Sequence, residues 1–144
     1  MNKEKAVVID IDTVLLSKSK KYKHAIRFIP NTSFQLRVIQ QKNITIIYKS
    51  ANVNNRLYTI HQKMAHANIP TNDHIYIRDT KTNVKQFHDQ LFAKLEKDYN
   101  IQLAIDNNQN GTKTIYKKYN IKLVKTSKKG LPKIHKLLDE KSYS

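Results

Sequence analysis

Apolar residues along this chain fall into short clusters of strand length, each closing in polar residues and followed by a stretch of helical spacing. The first, Ala6-Val7-Val8-Ile9, runs straight into Asp10-Ile11-Asp12. Such a run reads as a strand buried on both faces. Ile44-Thr45-Ile46-Ile47-Tyr48, His74-Ile75-Tyr76-Ile77, Ile101-Gln102-Leu103-Ala104-Ile105 and Ile121-Lys122-Leu123-Val124 repeat the pattern. Between them the period lengthens. Asn31-Thr32-Ser33 opens a helix that carries Phe34, Leu36, Val38 and Ile39 as far as Asn43. Residues 53–68 carry Leu57, Ile60 and Met64 on one face, and 80–98 carry Val84, Phe87, Leu91 and Leu95. Further helices are expected over 110–119 and 131–140, and the alternation from His24 to Ile29 reads as a short extended flap. Strands alternating with helices in this way predict an α/β fold: a three-layer, doubly wound, mostly parallel five-stranded sheet. The core is assigned to residues 1–126, with 127–144 a basic C-terminal helix and tail packed on or extending it.

Composition narrows the setting. At 144 residues the chain is read as one domain. No apolar run reaches the length of a bilayer span, and the amino terminus has no signal-like apolar stretch, so a membrane partner is not expected. With no cysteine, disulfides and thiolate metal sites are excluded, and a cytoplasmic location is the expectation. Lys and Arg number 27 against 11 Asp and Glu, a net charge of +16. Such a field draws polyanions, nucleic acid foremost.

The candidate chemistry lies at the ends of the strands. In a doubly wound sheet, ligands bind outside the carboxyl ends, near the switch in strand order. Asp10 and Asp12 follow the first strand, Ser50 the second, and Asp106 and Asn107 the fourth, while Lys81 and Lys85 open the helix after the third. Residues i and i+2 of a strand share a side, so Asp10 and Asp12 are expected to emerge together. Paired carboxylates there are costly unless a cation or a proton sits between them, which suggests an Mg²⁺ site with an aspartate as nucleophile or general acid. Together these residues supply the parts of a phosphoryl-transfer site. Asp10 can attack phosphorus, and Asp12 can protonate the leaving oxygen and then activate water. Asp106 joins Asp10 around the metal, and Ser50 and a lysine hold the phosphoryl oxygens.

The order of these motifs resembles the haloacid dehalogenase-like (HAD) phosphohydrolase superfamily. Asp10-Ile11-Asp12-Thr13-Val14-Leu15 matches its first motif, and the strand ending in Ser50 its second. A basic residue near a helix start matches the third, Lys85 best, with Lys81 and Arg78 as rivals. The strand ending in Asp106 matches the fourth. The resemblance implies that Asp10 is the nucleophile, Asp12 the general acid and base, and Ser50 and Lys85 phosphate ligands. It also implies Mg²⁺ held by Asp10, Asp12 (through its main-chain carbonyl), Asp106 and Asn107. Within the superfamily, the stretch from Asp98 to Asn107 looks most like the phosphatase half of phage-type polynucleotide kinase-phosphatases, which would imply removal of a 3′-phosphate. Asn107 departs from the pattern where many relatives carry a second acid, and Thr13 stands where Gly is frequent.

The interval from Asp12 to Ser50 leaves room for a flap and not for a cap domain. An open site ringed by Lys18, Lys20, Lys21, Lys23 and Arg27 suits a nucleic-acid end or a nucleotide, with Tyr22 or Phe28 stacking on a base. A protein partner that serves as lid fits the same opening. The rival reading from another class is a catalytically silent binding protein on this scaffold, a phage or mobile-element factor directed at nucleic acid or a host protein. The six histidines show no ligand spacing and are assigned to the surface.

Overall fold

The computed structural model describes residues 3–12, 17–18, 26–27, 31–52, 57–72, 74–107 and 111–126, and in the C-terminal segment 131, 133, 134 and 136–138. In chain order the elements are β1 (Glu4–Asp10), β2 (Ser17–Lys18), β3 (Ile26–Arg27), α1 (Thr32–Gln41), β4 (Thr45–Ser50) and α2 (Leu57–His66). They continue with β5 (Ile75–Ile77), α3 (Val84–Asp98), β6 (Tyr99–Ile105), α4 (Lys113–Lys118) and β7 (Leu123–Val124).

Five strands form one parallel sheet in the order β5-β4-β1-β6-β7, which puts β1 at the centre. The chain runs outward from β1 through β4 to β5, then returns past β1 to β6 and β7. This reversal sets the switch point at the carboxyl end of β1. β2 and β3 pair antiparallel as a separate two-stranded ribbon, with Ser17 opposite Arg27 and Lys18 opposite Ile26. The ribbon lies where the flap was expected. Lys20, Lys21, Tyr22 and Lys23 lie outside the described residues.

The period-two alternation of the central strands divides the core into two layers. Val7, Ile9, Ile46, Tyr48, Leu103 and Ile105 face one way, against Leu36 and Ile39 of α1 and Ile60 and Met64 of α2. Leu131, Ile134 and Leu138 of the C-terminal segment are buried in the same layer, at helical spacing. Ala6, Val8, Ile47 and Ala104 face the other way, against Leu91, Phe92 and Leu95 of α3 and Ile115 and Tyr116 of α4. Each such fully buried aliphatic side chain contributes about 1.5–3 kcal/mol.

Two local rules set the helix ends. The spacing predicts a helix from residue 80, yet α3 begins at Val84 because Asn83 caps it. The Asn83 side chain accepts from the Gln86 N–H at 2.8 Å, and the Gln86 side chain accepts from the Asn83 N–H at 3.3 Å, a reciprocal capping box. Asn43, Asn68 and Asn120, just past α1, α2 and α4, hold left-handed conformations with φ of 58°, 59° and 55°. Asparagine takes the place that glycine usually fills at such ends. No helix among the described residues is long and apolar enough to cross a membrane.

Candidate active site

β1, β4 and β6 end together, and Asp10, Lys49 and Asp106, at or beside those ends, meet on the α3/α4 side of the sheet. Asp10 is the register partner of Lys49, and Ile9 that of Ile105, so Lys49, Asp10 and Asp106 form a row across three strands. All three are buried. Neighbouring strands lie about 4.8 Å apart, so the long side chain of Lys49 reaches over β1 towards β6. Its Nζ stands 3.4 Å from Asp10 Oδ1 and 2.9 Å from Asp106 Oδ2.

His88, on α3, completes the surroundings of this amine, with Nε2 2.8 Å from Lys49 Nζ. Its Nδ1 lies 2.8 Å from the Val84 carbonyl oxygen, which can only accept. Nδ1 therefore carries the hydrogen, and Nε2 accepts from Lys49. Burial first, and the charge of Lys49 next, push the imidazole pKa down to about 4, so the ring is neutral. The expectation of a surface position for His88 is corrected here: it is 1% exposed and stacks on Phe92.

Asp106 is held just as firmly. Besides Lys49, its Oδ2 accepts from the Thr112 hydroxyl at 3.0 Å and the Tyr116 hydroxyl at 2.7 Å. Burial first, then the charge of Asp106, push the Tyr116 phenol pKa up, so this hydroxyl stays a donor.

Asp12 has different company. The chain leaves the strand after Asp10, and residues 11 and 12 turn as a helix. The two aspartates therefore reach separate partners. The Ser50 hydroxyl donates to Asp12 Oδ2 at 2.5 Å and accepts from the Asn52 N–H at 3.2 Å. Asp12 is half-buried and Ser50 fully buried, which leaves the Asp12 side of the row open to solvent.

The basic candidates divide. Lys85 is exposed on the first turn of α3 and interacts electrostatically with Asp89 one turn on. Lys81 is exposed. Arg78 is half-buried just past β5: its N–H donates to the Ser50 carbonyl at 2.9 Å, and its guanidinium to the carbonyls of Ala51 and Thr82 at 2.8 and 2.7 Å. Arg78 is thus fixed against the β4 end. For Lys18 and Arg27 only the backbone, in the β2–β3 ribbon, is described.

The donor set does not fit the expected Mg²⁺. A small divalent ion shared by Asp10 and Asp106 needs their oxygens at about 2.0–2.1 Å in an octahedral shell. The Lys49 amine already lies between those carboxylates, and three protein donors converge on one Asp106 oxygen. Asn107, expected as a further ligand, turns to Thr126: its Oδ1 accepts from the Thr126 N–H at 2.9 Å, and its Nδ2 lies 3.1 Å from Thr126 Oγ1. Among the described residues no group of three or more His, Cys, Asp or Glu is placed to hold a metal. Of the expected ligands Asp10, Asp12, Asp106 and Asn107, Asp10 and Asp106 are ion-paired to Lys49 and Asn107 is bonded to Thr126.

Lys49, His88, Thr112 and Tyr116 are the residues that the sequence reading missed. The signal for Lys49 was present: it is a lysine inside an apolar strand, two residues after Ile47 and so on the same buried face. For Thr112 and Tyr116 there was no comparable signal, because their roles depend on how α4 returns to β6.

No protein-family model matches this chain, and no curated protein does. Among solved structures it is similar to the class C acid phosphatase from Bacillus anthracis. With tungstate bound, that protein aligns at a TM-score of 0.66 and 18% identity, over 92% of this chain and 69% of that one. A second structure of the same phosphatase gives a TM-score of 0.65 and 17% identity, over the same shares of the two chains. At these identities the likeness is one of fold, and the chain shares the three-layer α/β architecture of that phosphatase.

Proposed function

We propose that this protein hydrolyses phosphate monoesters at a nucleic-acid end, 3′-phosphates in preference, or on a nucleotide. The observation that carries the reading is the Asp12–Ser50 hydrogen bond of 2.5 Å beside the buried row of Asp10 and Asp106, all at the switch point of the sheet. An Asp10 oxygen forms a bond to phosphorus while the bond from phosphorus to the ester oxygen breaks, and that oxygen leaves with the Asp12 proton. A water then gives its proton to Asp12 and attacks phosphorus, the acyl–phosphate bond breaks, and Asp10 and free phosphate are restored. Ser50 holds Asp12 in place. Lys85, with Lys81 and Arg78 as rivals, is proposed to meet the phosphoryl oxygens, and no step runs through a metal.

The net charge of +16 supports a polyanionic substrate. The basic residues of the flap, Lys18, Lys20, Lys21, Lys23 and Arg27, with Tyr22, are proposed to grip the strand beyond its terminal phosphate. A protein partner over the open end of the site belongs to the same proposal. One observation favours a second reading, that of a phosphate-end binding protein without turnover: Asp10, the nucleophile of the first reading, is ion-paired to Lys49.

Phosphate release from 3′-phosphorylated oligonucleotides, 5′-phosphorylated oligonucleotides and mononucleotides separates the two. Release by the wild type that falls at least a thousandfold or so in Asp10→Asn supports the enzyme. Salt-sensitive oligonucleotide binding, with no release from any substrate, replaces the enzyme by the binding protein.

A further inference from the structure

We infer that the Lys49 ammonium is the resident cation of this site, supplying between Asp10 and Asp106 the positive charge that a divalent metal would otherwise bring. An ammonium has three N–H donors, and three acceptors surround this one: Asp106 Oδ2 at 2.9 Å, His88 Nε2 at 2.8 Å and, longest, Asp10 Oδ1 at 3.4 Å. The acceptor role of His88 is enforced by its other nitrogen, which is committed to the Val84 carbonyl.

The amine cannot step aside for a metal. β4 lies between β1 and β5, the Lys49 side chain is 1% exposed, and the Tyr116 ring centroid lies 5.9 Å from Nζ. Its own face continues into Ile47, Leu91 and Phe92. Moving the charge there would leave an ammonium in an apolar layer without its partners, far costlier than any gain from a weakly held ion. Asp106 resists from its side, since a metal at Oδ2 would displace Lys49, Thr112 or Tyr116.

Removing the ammonium alone has a defined consequence. Lys49→Met keeps most of the side-chain volume and takes the ammonium away from between the Asp10 and Asp106 carboxylates. This is the arrangement in which like-charged carboxylates recruit a divalent ion. The use of Lys49 in turnover rests on the phosphatase reading above, whereas its place as the cation does not.

Metal-stripped wild type and Lys49→Met are titrated with Mn²⁺, free ion being read by electron paramagnetic resonance with Mg²⁺ as competitor. Phosphate release from a 3′-phosphorylated oligonucleotide is measured in EDTA and in Mg²⁺. The expected result is no Mn²⁺ binding by the wild type, a Mg²⁺-displaceable Mn²⁺ site gained in Lys49→Met, and wild-type release unchanged by EDTA. Mn²⁺ binding by the wild type that is displaced by Mg²⁺ and lost in Asp106→Asn overturns the inference. So does a folded Lys49→Met that gains no site, or wild-type release abolished by EDTA. If Lys49→Met does not fold, the wild-type titration decides alone. If no ester is hydrolysed in either buffer, the phosphatase reading falls while the Mn²⁺ result still decides the role of Lys49.

Discussion

Asp10 and Lys49 are register partners across the β1–β4 pair, and their buried charges meet 3.4 Å apart at the carboxyl end of the sheet. Their relative position is set by the backbone ladder of two central strands and not by a loop. Asp106 enters from the strand on the other side of β1, so the candidate nucleophile is framed by rigid elements to left and right. What remains outside this frame is Asp12, which the turn after β1 carries to Ser50.

Ser50 is accordingly a residue whose two possible roles give different kinetics. If its hydroxyl orients Asp12, Ser50→Ala removes the hydrogen bond it donates to Asp12 Oδ2 and the one it accepts from the Asn52 N–H. The expected stability loss is about 1–3 kcal/mol, from the two hydrogen bonds removed. The expected loss in kcat is about a hundredfold with KM little changed, since a small displacement of a reacting group is enough to produce it. Steady-state kinetics with denaturant melts check both. A raised KM at constant kcat would assign Ser50 to phosphate binding instead.

His88 gives the molecule a pH-dependent stability whose sign follows from its depressed pKa. The folded imidazole titrates near 4, and an unfolded one near its ordinary 6.5. Between these values the unfolded chain binds more protons. The contribution is therefore fully present above about pH 6.5 and is lost as the pH falls towards 4, at no more than about 1.4 kcal/mol per pH unit. His88→Gln offers Lys49 another acceptor without a titrating group. Its unfolding free energy, measured from pH 4 to 7, should show a slope smaller by up to one proton than that of the wild type. Equal slopes would mean that His88 is not the neutral acceptor described here.

The sequence carried the architecture because apolar runs and helical periods are local signals, and the five strands and the order of the site-bearing strand ends follow from them. Its errors have specific physical origins. The helix expected from residue 80 starts at Val84 because the Asn83–Gln86 capping box fixes its first turn, and residues 80–83 carry no apolar position to extend it. Asp10 and Asp12 part because the strand stops between them, which alternation alone does not announce. Lys49 carries no motif of its own, and its pairing with Asp10, which sets the charge of the site, depends on the register of two strands far apart in sequence. Thr112 and Tyr116 reach Asp106 through a return of the chain that no short window of sequence contains.

Asn107 tests whether the departure from the acidic pattern is a lesion or an adaptation. If the site were a metal centre that had lost a ligand, Asn107→Asp would restore it and raise phosphate release in a Mg²⁺-dependent way. The structure supports the opposite outcome. Asn107 links the end of β6 to the end of β7, accepting from the Thr126 N–H and placing Nδ2 against Thr126 Oγ1, and an aspartate keeps the acceptor while losing the donor. Asn107→Asp should therefore leave release and Mn²⁺ affinity unchanged and lower the unfolding free energy by about 0.5–1.5 kcal/mol, the net worth of one hydrogen bond. Thr126→Val should show a similar loss, and the double variant less than the sum of the two, because both remove the same contact. Additive losses, or a gain of Mg²⁺-dependent release in Asn107→Asp, would return Asn107 to the metal-ligand role that the sequence resemblance implied for it.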